Sequence, residues 1–146
     1  MMLMSGALTD ASRPIGSLVQ VSAYKGKIDA VRAELKRVLD VEPSATPKCV
    51  RAGALSILWS GPGQWLVLGE RGDDLSALIV SAVGESGAVV DQTGSKVLVR
   101  VSGPAVRQTL AKVIGIDLHP DVFDAGALAM TDLAHVAVHV WRLHVP

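Results

Sequence analysis

The side chains best equipped for metal or nucleophilic chemistry in this chain are four histidines, one cysteine and fourteen carboxylates. His135 and His139 are spaced i,i+4, which on a helix would place both imidazoles on one face at chelating distance. Their neighbours Val136, Ala137, Val138, Val140 and Trp141 alternate as a strand does. On a strand four residues span about 13 Å, too far for one ion. No carboxylate follows at ligand spacing, so no metal site is expected. Cys49 lies between Lys48 and Val50 with no partner base in view, and the chain has no Gly-x-Ser-x-Gly elbow. It reads as inert packing. Asp91 and Asp117 would act as paired acids only if the fold joined them; their turn-rich surroundings favour capping. Gly61-Pro62-Gly63 lacks both the dinucleotide fingerprint and the Lys-Ser/Thr ending of a phosphate loop, which leaves a tight turn. Trp59, Trp65 and Trp141 could stack on a planar ligand. In a chain with five aromatic residues they read instead as anchors of the core or of an interface.

The composition narrows the classes further. Of 146 residues, 49% are hydrophobic and 19% charged, enough apolar material for a core and the reverse of a disordered chain. Net charge is zero, with charges mixed along the chain, so neither nucleic acid nor an acidic membrane surface is an expected partner. A single cysteine excludes an intramolecular disulfide. No stretch has the length and apolarity of a leader or a membrane span, and a soluble cytoplasmic chain is expected. A neutral surface opposes association little, which suits a subunit.

The elements that must position these residues follow from periodicity. Residues 1–16 are polar and read as a flexible N-terminal arm, with a single domain over 17–146. Ser17 to Tyr24 alternates as a strand. Ile28, Val31, Leu35, Val38 and Leu39 then make a helical stripe that stops near Asp40, before Pro43 and Pro47. Asp29–Arg32 and Glu34–Arg37 are i,i+3 ion pairs on its outer face, worth roughly 0.2–0.5 kcal/mol each. Leu55 to Trp59 and Trp65 to Leu68 form a hairpin around the Gly-Pro-Gly turn. Asp73 and Asp74 cap a second helix whose stripe is Leu75, Leu78, Ile79, Ala82 and Val83, ended by Gly84. Ala88 to Asp91 and Lys96 to Ser102 are a further strand pair. Pro104 opens a third helix with Val106, Leu110, Val113 and Ile114 inward and Gly115 as its stop. Ala127 to Leu133 and His135 to Leu143 are the remaining strands. The class is α+β with mixed or antiparallel sheets and helices on one face. A weak echo between 55–83 and 88–114 suggests two similar small halves packed together.

Several segments together resemble one family, the gamma subunits of heterotetrameric sarcosine oxidase. Trp59-Ser-Gly61-Pro62-Gly-Gln-Trp65-Leu66 is similar to a W-x-G-P-x-x-W-L hairpin. Val101-Ser102-Gly103-Pro104 with Arg107 and Leu110 is similar to its S-G-P helix start, although Val106 replaces the usual alanine. Asp117-Leu118-His119-Pro120 with Phe123 and Gly126 resembles D-L-H-P-x-x-F-x-x-G, and Thr131, His135, Trp141 and Arg142 continue in register. The match runs from about 55 to 142 and its motif residues read as structural.

The resemblance implies a fold like the folate-binding domain of the glycine-cleavage T-protein. It implies an accessory, non-catalytic subunit docked on a larger alpha subunit, beside beta and delta, in sarcosine catabolism. FAD, FMN, NAD and tetrahydrofolate would belong to those partners, with none on this chain. A stand-alone folate or one-carbon binding module, with weak binding in a cleft between the halves, and a purely structural domain are the alternatives. The family pattern continues past Trp141-Arg142 with further elements, whereas this sequence ends at Pro146. The last strand is then expected to present an open edge, and the isolated chain to pair with a second copy. The alternative is that the N-terminal arm folds back over that strand.

Overall fold

The computed structural model describes residues 2–5, 12–13, 15–70, 74–101, 105–112, 114–119, 121–133 and 135–143. Strands β1 (Met2–Ser5), β2 (Ser12–Arg13) and β3 (Ser17–Ala23) precede helix α1 (Ile28–Leu39). Strands β4 (Cys49–Ala52), β5 (Leu55–Gly61) and β6 (Gln64–Gly69) precede α2 (Leu75–Val83). Then come β7 (Gly87–Asp91), β8 (Lys96–Val99), α3 (Val106–Ala111), β9 (Leu128–Leu133) and β10 (Val136–Trp141). They gather into two compact units, one of residues 15–94 and the other of residues 1–14 with 95–146.

The 15–94 unit holds an antiparallel sheet in the order β4-β5-β6-β3-β7. With β4 set aside, β3-α1-β5-β6-α2-β7 is the β-α-β-β-α-β arrangement in which two split crossovers share one sheet. Side-chain alternation explains which face the helices take. Val19, Val21, Ile57, Trp65 and Val67 point to the face covered by Val31, Leu35 and Leu39 of α1 and Leu75, Ile79 and Val83 of α2. The intervening Leu18, Leu58, Leu66 and Leu68 are buried too, so β3 and β6 are apolar on both faces. β4 had no counterpart in the sequence reading, because Cys49-Val50-Arg51-Ala52 is too short to show a period.

Helix α1 ends where expected. Asp40 adopts a left-handed φ of 56° and donates its N–H to the Lys36 carbonyl at 2.9 Å. That reversal carries Glu42 back alongside the helix. Arg32 therefore pairs with Glu42 at 3.3 Å and donates to the Pro43 carbonyl at 3.2 Å, in place of the expected Asp29 contact. Glu34–Arg37 forms as expected, at 2.6 Å. In α2, Asp74 caps the helix by accepting from the Ala77 N–H at 3.2 Å, while Asp73 lies outside the described residues. Leu78, expected inward, is exposed.

The other unit has the sheet order β2-β8-β1-β10-β9, again antiparallel. Here three expectations are corrected. The N-terminal stretch supplies two strands rather than a loose arm, because β1 offers backbone partners to β8 and β10 on both sides. The strand pair expected at 88–102 is divided: β7 pairs with β3 and β8 with β1, in different sheets. The echo at 55–83 and 88–114 therefore does not mark the two units. Finally, β10 lies inside its sheet, between β1 and β9, so the open edge expected to recruit a second copy is already filled. Its apolar faces on both sides suit that place. Val99, Ile114, Phe123, Val138 and Val140 form this unit's core, with Leu110, Ala129 and Leu133 packed against it.

Candidate functional site

The tryptophan hairpin is built from its turn outward. Pro62 and Gly63 connect Gly61 to Gln64, and Gly63 has φ of 69°, the pattern of a type II turn with Pro before a left-handed Gly. Such a turn splays flanking strands, and the register shift between Trp59 and Gly61 accommodates it. Gly61 itself sits at φ 143°, a conformation closed to ordinary side chains. A Cβ on Gly63 would lie 2.9 Å from Ile28 Cγ1, so the turn packs directly on α1. Trp59 and Trp65 are cross-strand partners with different surroundings. Trp65 is 1% exposed and donates its indole N–H to the Ser44 carbonyl at 2.8 Å. Trp59 is only half-buried. Trp65 is thus spent on the core.

The Asp117 motif closes a loop. The Asp117 carboxylate accepts the His119 N–H at 2.9 Å, and the His119 ring accepts the Asp121 N–H at 3.2 Å. The His119 carbonyl accepts from Val122 and Phe123 at 3.0 and 2.8 Å, and Phe123 then enters the core. Arg142 donates its guanidinium to the Phe123 carbonyl at 3.0 Å and its N–H to the Ala127 carbonyl at 3.1 Å, and it accepts the Gly126 N–H at 2.9 Å. Each of these contacts turns or fastens chain. Trp141 is buried opposite Leu128, and Thr131 faces Val138 across β9 and β10. Ser102, Gly103, Pro104 and Pro120 lie outside the described residues.

The titratable candidates are dispersed. His135 sits in the β9–β10 turn at φ 69° and His139 lies mid-strand in β10, so the helical i,i+4 arrangement is absent. Among the described residues no group of three or more His, Cys, Asp or Glu is placed to hold a metal ion. The Asp91 carboxylate caps its own turn by accepting the Thr93 N–H at 3.0 Å, which lowers its pKa. Burial pushes the Cys49 thiol up to about 11, which keeps it protonated and unreactive at neutral pH.

Burial, and secondarily Lys96, lowers the pKa of His139 from 6.5 to about 4. The unfolded chain takes up a proton near pH 6.5 that the folded chain refuses until about pH 4. Stability is therefore full above that window and falls as the pH drops through it. His139→Gln is expected to flatten this part of a plot of thermal midpoint against pH. Parallel curves for variant and wild type would contradict it.

Among the described residues a concave feature has room for another group, and no sequence motif points to it. A cavity of about 260 Å³ opens where the ends of β3, β5 and β6 meet α1 and α2. Its walls are mainly apolar, including Val38, Leu55 and Leu78, and among the described residues its charged lining residues are both acidic, Glu70 and Asp74. Beside Gly69 lies the Ser17 hydroxyl, buried without a hydrogen-bond partner. A flavin or dinucleotide does not fit here. Ligand pockets run to about 300–1,000 Å³, and among the described residues a phosphate would meet the carboxylates of Glu70 and Asp74.

These features define the class: an α+β chain whose marked residues hold turns and cores together. The chain belongs to the sarcosine oxidase gamma subunit family, which it matches over residues 26–143. It is 36% identical over 88 residues to the sarcosine oxidase subunit gamma of Corynebacterium sp. (strain P-1), covering 60% of this chain and 43% of that one. To its namesake in Arthrobacter sp it is 35% identical over 92 residues, covering 62% and 45%. The matched stretch spans less than half the length of these relatives. The fold matches a chain of heterotetrameric sarcosine oxidase from Corynebacterium sp. U-96, in complex with pyrrole 2-carboxylate. The TM-score is 0.78 at 27% identity, covering 88% of this chain and 66% of that one. No helix among the described residues is long and apolar enough to cross a membrane.

Proposed function

We propose that this chain is the accessory gamma subunit of a heterotetrameric sarcosine oxidase in the cytoplasm, and that it contributes assembly surface while larger subunits do the chemistry. The family match over 26–143 is the observation that carries the reading. Two features of the molecule support it. The residues that mark the family, among them Trp65, Asp117, His119 and Arg142, are committed to packing and loop closure. The cavity suits neither a flavin nor a dinucleotide in size or charge. On this reading N-methylglycine is oxidised on the alpha and beta subunits. These, with delta, would also hold FAD, FMN, NAD and the tetrahydrofolate that takes up the one-carbon unit. Copurification with the larger subunits tests it. The isolated chain is expected to be colourless and inactive toward sarcosine, and to enter a stoichiometric complex when they are co-expressed. A flavin band purifying in equal amount with the isolated chain would overturn the proposal.

A further inference from the structure

Helix α2 is unusual for a surface helix. Its nine residues, Leu75-Ser-Ala-Leu-Ile-Val-Ser-Ala-Val83, include no charge at all. Leu75, Ile79 and Val83 form its buried stripe. Going round the helix at 100° per residue, Leu78 and Val80 fall on opposite flanks of that stripe, with Ala77 and Ser81 on the outermost line. Leu78 is 44% and Val80 50% exposed. Beside it, α1 turns Asp29, Glu34, Lys36 and Arg37 outward, which is how a solvent-facing helix is normally dressed. A helix with no charge on any side and exposed Leu and Val on both flanks is expected under cover. Leu78 also lines the cavity, so the bare helix face and the cavity form one continuous surface.

We propose that this surface is where a larger subunit docks, resting on the gamma-subunit reading given above. The partner segment lays against α2, where the small Ala77 and Ser81 permit close backbone approach. It inserts one aliphatic or aromatic side chain into the cavity, with a Lys or Arg beside it. Charge selects the basic neighbour, because among the described residues both charged lining residues are acidic and only Glu70 of the two has a cationic partner, Arg51 at 3.1 Å. The Ser17 hydroxyl lies in the wall of this cavity, buried without a partner at a cost of about 1–3 kcal/mol.

The test co-expresses the full chain with the larger subunits and measures affinity for them. Leu78→Lys and Val80→Lys are expected to weaken the complex at least tenfold, with circular dichroism and thermal midpoint as in wild type. Ser81→Arg, at an exposed polar position, gives the same reading should either lysine variant fail to fold. Val122→Lys and Met130→Lys, at exposed apolar positions of the other unit, are expected to stay within twofold. Full affinity in the α2 variants, or a larger loss in the controls, would overturn the docking site and leave the subunit reading standing. A wild-type chain that binds no larger subunit would overturn both. A wild-type dimer that Leu78→Lys converts to monomer, with affinity for the larger subunits unchanged, would give this face to a second copy and overturn the proposal.

Discussion

Trp65→Ala is expected to destabilise the chain by about 3–5 kcal/mol, the range for deleting a large buried aromatic ring. The indole is 1% exposed and belongs to the core cluster that also holds Val21, Val31, Leu35 and Val67. Alanine leaves a cavity that these rigid elements cannot collapse to fill. It also strands the Ser44 carbonyl, which accepts the indole N–H at 2.8 Å and ties the segment after α1 to the sheet. At the usual ratio for a chain of this size, the thermal midpoint should fall by about 10 °C. Trp65→Phe keeps most of the volume and loses the hydrogen bond, so it should lie between alanine and wild type. Trp59→Ala, at the half-buried cross-strand partner, should cost much less. Melting curves followed by circular dichroism separate the three. An unchanged midpoint for Trp65→Ala would mean that the ring is exposed in solution, and would move it from packing to ligand contact.

The contrast between the two tryptophans shows where sequence reasoning reaches and where it stops. The hairpin was legible because Gly61-Pro62-Gly63 has turn chemistry and the flanking runs are apolar. Which indole is buried depends on the helices across the sheet, and neither lies within the hairpin. Helices α1 and α2 were legible for the same local reason: their stripes repeat at 3.6 residues, and Asp40 and Asp74 mark their ends. Pairing across long separations was not legible. Met2–Ser5 is too short to show a period, yet β1 joins β8 to β10 and so decides that β10 is internal. Likewise nothing local in residues 87–99 reveals that β7 and β8 belong to different sheets.

The site divides the same way. The family motifs could be recognised as strings, and the Asp117 turn has a local cause that the sequence displays. The cavity is made by five elements far apart in the chain, and its most telling atom, the Ser17 hydroxyl, belongs to a residue that reads only as the start of a strand. Helix α2 carried a usable signal. A stretch of nine residues without a charge, given one stripe to bury, must leave apolar side chains outside.

Gly87→Ala is the second large effect, and its cause is backbone rather than side chain. A Cβ on Gly87 would lie 2.6 Å from the Ser22 carbonyl oxygen and 3.3 Å from Ala23 Cα, both main-chain atoms of β3. No rotamer change relieves that contact; β7 must move away from β3. Yet β7 is held at its far end, where the Gln92 N–H donates to the Leu18 carbonyl at 2.7 Å and the Thr93 hydroxyl accepts the Leu18 N–H at 2.9 Å. The strand can therefore only splay, losing the Ala23–Gly87 and Ser22–Ala88 pairings and opening the sheet beside Val83. A cost of about 3 kcal/mol is expected, at the upper end for overpacking. Two glycines calibrate the measurement. Gly94 has open space but φ of 88°, so Gly94→Ala should cost about 1–2 kcal/mol from conformation alone. Gly115 has open space and no positive φ, so Gly115→Ala should be close to neutral. Urea unfolding of the three variants gives the order directly, with Gly87→Ala least stable and Gly115→Ala nearest wild type. If Gly87→Ala unfolded no earlier than Gly115→Ala, β7 would not lie against β3 as described.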